Sequence, residues 1–412
     1  MEYGCIGKKL IHSFSKEIHA KLFNYKYELL ELSENELPAF LNKRDFKAIN
    51  VTIPYKKAVI PYLYSISQIA EKIGAVNTVV NKNGKLYGYN TDFYGLKALI
   101  EKNDISLKDK KVLILGSGGT SATAKAVAEE LLAKSVLRVS RKKSEGFITY
   151  DEALELHSDA QIIINTTPVG MYPNINGVPI DINAFKKLIG VVDVVYNPLK
   201  TELVVNAEKR GIKAVGGLYM LVAQAVFAAE RFTDTEIEGA KIDKIFKEVL
   251  KAKENIVLIG MPSSGKSTIG ALLAKSLNKN FVDTDTLIEE EQKLTIREIF
   301  DKFGEEKFRV LEAEAVERVS ALQNTVIATG GGAVLRKENV ENLSKNGKIF
   351  FLDRPLDRLI TTDSRPLSSD RESLIKRYNE RYDIYLKSAD YILKCDDDKA
   401  KNIELLRKEF LK

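Results

Sequence analysis

Residues 256–274 read IVLIGMPSSGKSTIGALLA, an apolar run that leads through the pattern G-x-x-x-x-G-K-[ST] into a helix-like stretch. Between a strand and a helix, a loop of this pattern wraps main-chain N–H groups around the phosphates of a nucleotide. Lys266 is expected to reach the β- and γ-phosphate oxygens, and Ser267 to ligate Mg²⁺. Because the loop begins only at Gly260, it indicates a second domain with a first domain ahead of it.

The length and composition indicate a globular protein of several domains. A chain of 412 residues is too long for one ordinary core, and two or three domains of roughly 100–200 residues each are expected. Hydrophobic residues make up 44% of the chain and charged residues 29%, which is typical of soluble globular proteins. The net charge of +6 lacks the one-sided basicity of a nucleic-acid binder, so no nucleic-acid partner is expected.

Cysteine usage and hydropathy indicate where such a chain would work. Cys5 and Cys395 are isolated, so the sequence contains neither a disulfide framework nor the spacing of a metal knuckle. No apolar run approaches the roughly 18 residues of a membrane span, and the N-terminus lacks a charged segment followed by an apolar one. We therefore expect a cytoplasmic protein without a membrane partner, whose oligomeric state the sequence does not indicate.

Strand-like runs alternate with helix-like stretches along the whole chain, which predicts an α/β fold. In the first half, continuous apolar runs typical of a buried parallel sheet predict strands at 111–115, 135–139, 161–165 and 191–195. In the second half, strands are predicted near 256–259, 281–282, 325–328 and 348–352. The chain becomes charged and helical around 233–254, and this stretch is interpreted as the junction of two domains, 1–250 and 251–412.

A glycine-rich turn follows the first of the predicted strands. It has the pattern of a dinucleotide-binding turn, with Ser121 in place of the third glycine. The next strand ends in basic residues instead of the acidic residue that would bind a ribose 2′-hydroxyl, which favours NADP over NAD. The alternatives are a flexible turn and a solvated basic turn. The residues predicted to bind the cofactor at these two turns are Gly116, Ser117, Gly118, Gly119, Thr120, Ser140, Arg141 and Lys142.

Short polar side chains cluster at the ends of apolar runs in the first half. The clusters read HSFS at 12–15, NVTIPYK at 50–56, AVNT at 75–78 and NTD at 90–92. A site for a polyhydroxylated acid needs donors for a carboxylate, amides for hydroxyl groups and a lysine–aspartate pair for proton transfer, and these clusters supply all three. The alternative is ordinary turn chemistry, in which Asn, Asp and Ser cap the backbone.

Taken together, these clusters resemble the shikimate dehydrogenase family over about residues 3–235. The resemblance also rests on NTTPVGM at 165–171, VYNP at 195–198 and GGLYMLVAQA at 216–225. It implies a two-lobed dehydrogenase with a Rossmann-like NADP domain. The substrate lobe would comprise about 1–95 and 218–240, and the cofactor lobe about 96–217.

The resemblance implies a role for each matching residue. Two serines would hold the substrate carboxylate, and Lys56 with Asp92 would handle the proton of the reduced ketone. The implied substrate residues are Ser13, Ser15, Thr52, Lys56, Asn77, Asp92, Tyr196 and Gln224. Val194 and Gly217 would join the residues that bind NADP.

Carboxylates and an arginine follow the phosphate loop in the second half. Asp283 and Asp285 end a predicted strand, and alternation along that strand would place both on one face. One would then lie near Mg²⁺ and the other would face an acceptor hydroxyl. Arg309 lies in a helix-like stretch, either in a ligand site or paired with Glu305 or Glu312 on the surface.

Three glycines at 330–332 follow another predicted strand, a place where the backbone must approach a ligand closely. With the phosphate loop, this series resembles the shikimate kinase family across about residues 254–412, which implies a P-loop fold like that of nucleoside-monophosphate kinases. The resemblance implies that ATP is bound by Ser263, Ser264, Gly265, Lys266, Ser267, Thr268 and Arg365. Arg365 would lie in a lid that closes on ATP. Ser267 and Asp283 would position Mg²⁺. The resemblance implies that the substrate is bound by Asp285, Arg309, Gly331, Gly332 and Arg381. Asp285 would also orient or deprotonate the attacking hydroxyl.

The two resemblances favour one bifunctional enzyme that runs consecutive steps. The first step would reduce 3-dehydroshikimate to shikimate with NADPH, and the second would phosphorylate the 3-hydroxyl of shikimate with ATP and Mg²⁺. One alternative is that one half has lost activity and serves as a scaffold or sensor. The others are that the first half acts on quinate, or that the second is a sugar-acid kinase. Two active sites are favoured because the sequence retains Lys56, Asp92, Lys266, Asp285 and Arg381.

Overall fold

The computed structural model describes residues 1–10, 14–359 and 371–412. The chain divides into two compact units, Met1–Val249 and Leu250–Lys412, and the helix Gly239–Lys253 crosses this division. None of the helices in the described part of the chain has both the length and the apolar run that crossing a bilayer requires.

Two six-stranded sheets and nine helices occur among the described residues up to Lys253. The strands are β1 (Tyr3–Gly7), β2 (Tyr27–Glu31), β3 (Ala48–Val51), β4 (Ser65–Ile66), β5 (Thr78–Lys82), β6 (Lys85–Tyr89), β7 (Lys111–Leu115), β8 (Ser135–Ser140), β9 (Phe147–Thr149), β10 (Ile162–Asn165), β11 (Gly190–Asp193) and β12 (Lys213–Val215). The helices are α1 (Ser15–Leu22), α2 (Leu37–Lys43), α3 (Gln68–Ile73), α4 (Thr91–Lys102), α5 (Gly119–Glu130), α6 (Tyr150–Leu156), α7 (Glu202–Lys209), α8 (Leu218–Thr233) and α9 (Gly239–Lys253). Short 3₁₀ turns lie at Ile60–Tyr62 and Ile182–Ala184.

The first sheet is mixed and has the strand order β2-β1-β3-β5-β6-β4. β1 pairs in parallel with β2 and β3, whereas β5 is antiparallel to both β3 and β6. Successive side chains of a strand point to opposite faces, so both faces carry apolar residues. Ile6 and Ile49 pack with Leu41 of α2 on one face, and Val80 packs with Phe232 of α8 on the other.

The second sheet is parallel throughout and has the order β12-β11-β10-β7-β8-β9. Counted along the chain, this is the doubly wound order, in which ligands bind beyond the carboxyl ends of the strands where the order reverses. That point lies between β7 and β10. Both strands are almost wholly buried, as their continuous apolar runs predict, and the four strands expected from the sequence in this region are confirmed.

The second unit is built on one parallel sheet of order β14-β15-β13-β16-β17. Its strands are β13 (Asn255–Ile259), β14 (Asn280–Asp283), β15 (Thr325–Ala328), β16 (Gly347–Asp353) and β17 (Tyr391–Lys394). Its helices are α10 (Lys266–Leu277), α11 (Thr284–Gln292), α12 (Ile296–Ser320), α13 (Lys337–Ser344), α14 (Arg371–Ser388) and α15 (Lys399–Leu411), with 3₁₀ turns at Ala333–Leu335 and Leu356–Arg358. The α/β class and the four strands predicted for this half are confirmed.

Helix caps place two aspartates in first turns, where the helix dipole favours negative charge. Asn90 accepts a hydrogen bond from the main-chain N–H of Phe93 and starts α4, which puts Asp92 in the first turn. Asp283 accepts from the main-chain N–H of Asp285 and starts α11. Short polar side chains are favoured at the position before a helix because they accept hydrogen bonds from main-chain N–H groups that have no acceptor within the helix.

Candidate active sites

A cavity of about 600 Å³ in the first unit brings together residues from β1, β3, α4 and α8. The described residues that were predicted to bind substrate all line it: Ser15, Thr52, Lys56, Asn77, Asp92, Tyr196 and Gln224. Val194 and Gly217, predicted for the cofactor, line this same cavity. Ser13 lies outside the described residues.

Lys56 and Asp92 form an ion pair in the wall of this cavity, with 2.5 Å between Nζ and Oδ2. Their side chains are only 17% and 12% exposed, so solvent screens the pair less than it screens a surface ion pair. The lysine is anchored through the preceding Tyr55, which is buried and whose hydroxyl donates to the carbonyl of Leu32. The aspartate is fixed by the capped start of α4, so both partners sit on ordered backbone.

Amide and hydroxyl groups support the pair from behind. Asn77 Oδ1 accepts from the main-chain N–H of Thr91 at 2.7 Å, directly before Asp92. Asn50 Nδ2 donates to the carbonyl of Asn77, and Asn50 Oδ1 accepts from Tyr27. Asn50 also lines the cavity; it stands in one of the predicted polar clusters but was not among the residues predicted to bind substrate. Its place in NVTIPYK, six residues before the lysine, was the signal that could have found it.

A second cavity of about 550 Å³ lies at the carboxyl ends of β7, β8 and β10. Seven of the residues predicted for the cofactor line it: Gly116, Ser117, Gly118, Gly119, Thr120, Ser140 and Arg141. A Cβ placed on Gly118 or Gly119 would meet nothing within 4 Å, so this side of the turn is open to a ligand. Ile53, Lys56 and Thr120 line both cavities, so the two cavities meet at the lysine.

The basic turn after β8 contributes unequally to the second cavity. Arg141 lines this cavity. Lys142, a described residue that was also predicted to bind the cofactor, does not line it. Ser140 donates its hydroxyl to the carbonyl of Lys142, which holds the turn together. Tyr150, the first residue of α6, lines the cavity beside them, and burial raises the pKa of its phenol. No motif pointed to this tyrosine, because it is brought in by the next helix.

A cavity of about 530 Å³ in the second unit contains most of the residues predicted for the kinase site. Those that line it are Ser263, Gly265, Lys266, Ser267, Thr268, Asp283, Asp285, Arg309, Gly331, Gly332 and Arg381. Among the described residues predicted for ATP, Ser264 is buried and does not line the cavity. Arg365 lies outside the described residues.

In the phosphate loop, the two side chains predicted to contact phosphate and Mg²⁺ are bonded to oxygen atoms of the protein. Lys266 Nζ donates to the carbonyls of Gly260 and Met261, each at 2.9 Å, within the loop itself. Ser267 Oγ donates to Asp283 Oδ2 at 2.5 Å. A hydroxyl beside a carboxylate offers the hard oxygen donors that Mg²⁺ prefers, so these two residues fit the metal that a nucleotide brings.

The strand alternation predicted for Asp283 and Asp285 is wrong. β14 ends at Asp283, and Asp285 lies in the first turn of α11. The two carboxylates nevertheless line one cavity, because Asp283 caps the helix that carries Asp285. Capping by a short acidic side chain competed with strand extension and ended the strand.

The three-glycine turn after β15 lies where the functional side chains converge. A Cβ on Gly330 would come within 2.6 Å of Asp285 Oδ1 and 2.7 Å of Glu312 Oε1. A Cβ on Gly332 would come within 2.0 Å of Arg309 Nη1. Glycine is required here because each missing side chain leaves room for a charged group, as the close-approach interpretation of this turn predicts.

Arg309 pairs with both glutamates that the sequence offered as surface partners, and it also lines the cavity. Its guanidinium donates to Glu312 at 2.8 Å and to Glu305 at 2.9 Å. Glu312 is 1% exposed, and burial raises the pKa of its carboxyl while the Arg309 charge opposes that rise. Glu312 was predicted only as a surface partner of Arg309; its three-residue spacing from Arg309 on the helix was the available signal.

Comparison with known proteins agrees with the geometry of both units. A family model described as the shikimate dehydrogenase substrate binding domain matches residues 5–79, and one described as shikimate kinase matches residues 262–410. A shikimate dehydrogenase (NADP(+)) from Clostridium perfringens is 38% identical over 265 residues, which cover 60% of this chain and 97% of that protein.

Two solved structures extend this likeness to the fold of the first unit. One is a chorismate mutase/shikimate 5-dehydrogenase fusion protein from Clostridium acetobutylicum, 37% identical, with a TM-score of 0.57 over 60% of this chain and 96% of that one. The other is shikimate 5-dehydrogenase from Thermus thermophilus in complex with NADP(H) and shikimate, 27% identical, with a TM-score of 0.54 over 60% and 99%. The chain therefore belongs to the shikimate dehydrogenase family through its first unit and carries a shikimate kinase domain in its second.

Proposed function

We propose that this chain catalyses two consecutive reactions. The first unit reduces 3-dehydroshikimate to shikimate with NADPH, and the second phosphorylates shikimate to shikimate 3-phosphate with ATP. The observation that carries the proposal is the Lys56–Asp92 pair, a proton donor and its holder, at the meeting point of two cavities. The cavity of the second unit, where a phosphate loop meets two aspartates and two arginines, supports the second reaction.

In the first unit we assign the first sheet with α8 to the substrate and the second sheet to the cofactor. When bound, NADPH supplies the hydride that reduces the ring ketone. The ketone oxygen gains negative charge as this happens, and Lys56 stabilises the charge and donates a proton to that oxygen. Asp92 holds the amine at 2.5 Å, so little reorganisation is needed at the moment of transfer. In the reverse direction, Lys56 Nζ accepts the proton of the substrate hydroxyl.

In the second unit, opposite ends of the substrate meet opposite charges. Arg309 and Arg381 bind the carboxylate, because a planar guanidinium can donate two parallel hydrogen bonds to it. Asp285 accepts a hydrogen bond from the attacking hydroxyl and takes its proton. Glu312 holds Arg309 in place from the buried side of the helix.

The phosphate side of the same cavity belongs to the loop. Lys266 leaves its two carbonyl partners for the phosphate oxygens and stabilises charge on the transferred group. Ser267 and Asp283 would hold Mg²⁺, which shields the phosphate charge. The role of Arg365 stays a prediction, since that residue lies outside the described part of the chain.

The partners in this proposal are small molecules: 3-dehydroshikimate, shikimate, NADP(H) and ATP. A cytoplasmic location and the lack of a nucleic-acid partner stay predictions from the sequence. Neither is needed for the chemistry described above.

Arg141 is expected to carry the preference for NADPH. In Arg141→Ala, we expect kcat/KM with NADPH to fall about tenfold, the effect of losing one charge-assisted hydrogen bond at an exposed site, and kcat/KM with NADH to stay within about twofold. The measurement is steady-state reduction with each cofactor. Lys143→Ala is the matched control, because Lys143 is the next basic residue but one and pairs with Glu152. Equal losses with both cofactors would contradict the assignment.

Two assays on the purified chain test the proposed function. NADPH oxidation is measured with 3-dehydroshikimate, and ADP release is measured with shikimate and Mg²⁺. Quinate and NADH serve as the competing substrate and cofactor. Activity in both assays is expected, and a folded chain inactive in either assay would overturn the corresponding half of the proposal.

A further inference from the structure

Two side chains of α14 hold the carbonyl of Gly331 in the second unit. Arg381 Nη1 donates to it at 3.2 Å and the hydroxyl of Tyr385 donates to it at 2.5 Å. The two residues are four apart on the helix, so they lie one above the other on one face. Arg381 lines the cavity. Tyr385 is also a described residue of α14, but it does not line the cavity.

Tyr385 is a rigid support. Its side chain is fully buried, and its ring stacks on Phe351 with the ring centroids 5.0 Å apart and the planes 16° apart. Phe351 belongs to β16, which pairs with β13 of the same sheet. Burial raises the pKa of the Tyr385 phenol to about 12, so the hydroxyl keeps its proton and donates it at neutral pH.

Holding the Gly331 carbonyl also orients the next N–H. The peptide unit is planar and trans, so the carbonyl oxygen of Gly331 and the N–H of Gly332 point in opposite directions. Gly332 lines the cavity, and a Cβ added to it would overlap the guanidinium of Arg309. Within the described residues, the N–H of Gly332 has no acceptor, so it is available to a ligand in the cavity.

We propose that Tyr385 is a positioning residue for the acid substrate of the second unit. It fixes the Gly331–Gly332 peptide so that the Gly332 N–H, on the side of the peptide away from Tyr385, is held toward the bound substrate in the cavity. The hydroxyl of Tyr385 acts through this peptide and touches neither the acid nor ATP. This inference rests on the proposed kinase function.

Tyr385→Phe tests the inference because it removes one hydroxyl and keeps the ring on Phe351. We expect KM for shikimate to rise about tenfold, the effect of losing one buried hydrogen bond, and KM for ATP to stay within about twofold. Tyr382→Phe is the matched control: its hydroxyl donates to Asp353 at 3.1 Å from the same helix, but away from the glycine turn. A KM for shikimate within about twofold of the wild type, or equal rises in both KM values, would overturn the inference.

A measurement on the wild-type chain tests the Gly332 contact by itself, without any substitution. In protein labelled with ¹⁵N-glycine, the amide resonance of Gly332 is expected to shift when shikimate is added, and an unchanged resonance would overturn the inference. The two proposals fail differently. No ADP release by the wild type with shikimate would overturn the kinase function and this inference with it, whereas normal wild-type turnover with an unaffected Tyr385→Phe would overturn the inference alone.

Discussion

Lys56→Met is expected to lower kcat for the reduction of 3-dehydroshikimate by on the order of 10²–10⁴, the usual contribution of a positioned general acid. Methionine keeps most of the length of the lysine side chain but cannot donate a proton to the ketone oxygen. ADP release with shikimate should be unchanged, because Lys56 lies in the first unit and the phosphate loop lies in the second. Both activities are measured on the same preparation.

The loss at Lys56 must be separated from the loss of an ion pair as such. Lys111→Met is the matched control, because Lys111 is 20% exposed and pairs with Asp159 at 2.6 Å in the same unit. Lys111 does not line either cavity in the described part of that unit. An equal fall in the rate of reduction in both variants would show that Lys56 is not the proton donor of an independent site. Loss of phosphorylation in a folded Lys56→Met variant would show the same.

Lys266→Met is expected to have the opposite pattern. The rate of phosphorylation should fall on the order of 10³, because the ammonium that stabilises charge on the transferred phosphate is lost. NADPH oxidation should stay at the wild-type rate. The measurement is ADP release at saturating shikimate, with NADPH oxidation as the internal reference.

The second unit contains a close match for the chemistry of Lys266. Lys279 is a half-buried lysine that, like Lys266, donates to two carbonyls, those of Lys251 and Glu254, and it also donates to Asn324 Oδ1. It does not belong to the described lining of the cavity. Lys279→Met should therefore affect the melting temperature more than turnover. A phosphorylation rate as low in Lys279→Met as in Lys266→Met, with both variants folded, would show that the effect is structural.

The features that the sequence predicted well are those in which neighbours along the chain act together. The strand before Gly260 and the helix that begins at Lys266 follow from one continuous stretch of sequence. The glycine turn after β7 follows from another. In such stretches the apolar run, the glycines and the helix start agree with one another, so local preference and fold give the same answer. The candidate residues in these motifs accordingly line the cavities.

The features that the sequence did not predict depend on residues far apart in the chain. Gly330 sits against Glu312, and Tyr385 supports Gly331 from another helix, although no spacing along the chain relates them. Glu312 carries a charged side chain of the kind expected on the surface, and only the packing of α12 shows that it is buried. Asp285 was mistaken for a strand residue because the cap by which Asp283 starts α11 is a contact of the folded turn.

One chain is expected to perform both steps, and a single reaction mixture measures both at once. The purified chain is supplied with 3-dehydroshikimate, NADPH, ATP and Mg²⁺, and the products are followed together by NMR and by NADPH absorbance. Shikimate 3-phosphate is expected to form, with one NADPH oxidised and one ADP released per molecule of ester. Shikimate that accumulates without phosphorylation, or ATP that is consumed only when shikimate itself is added, would contradict it.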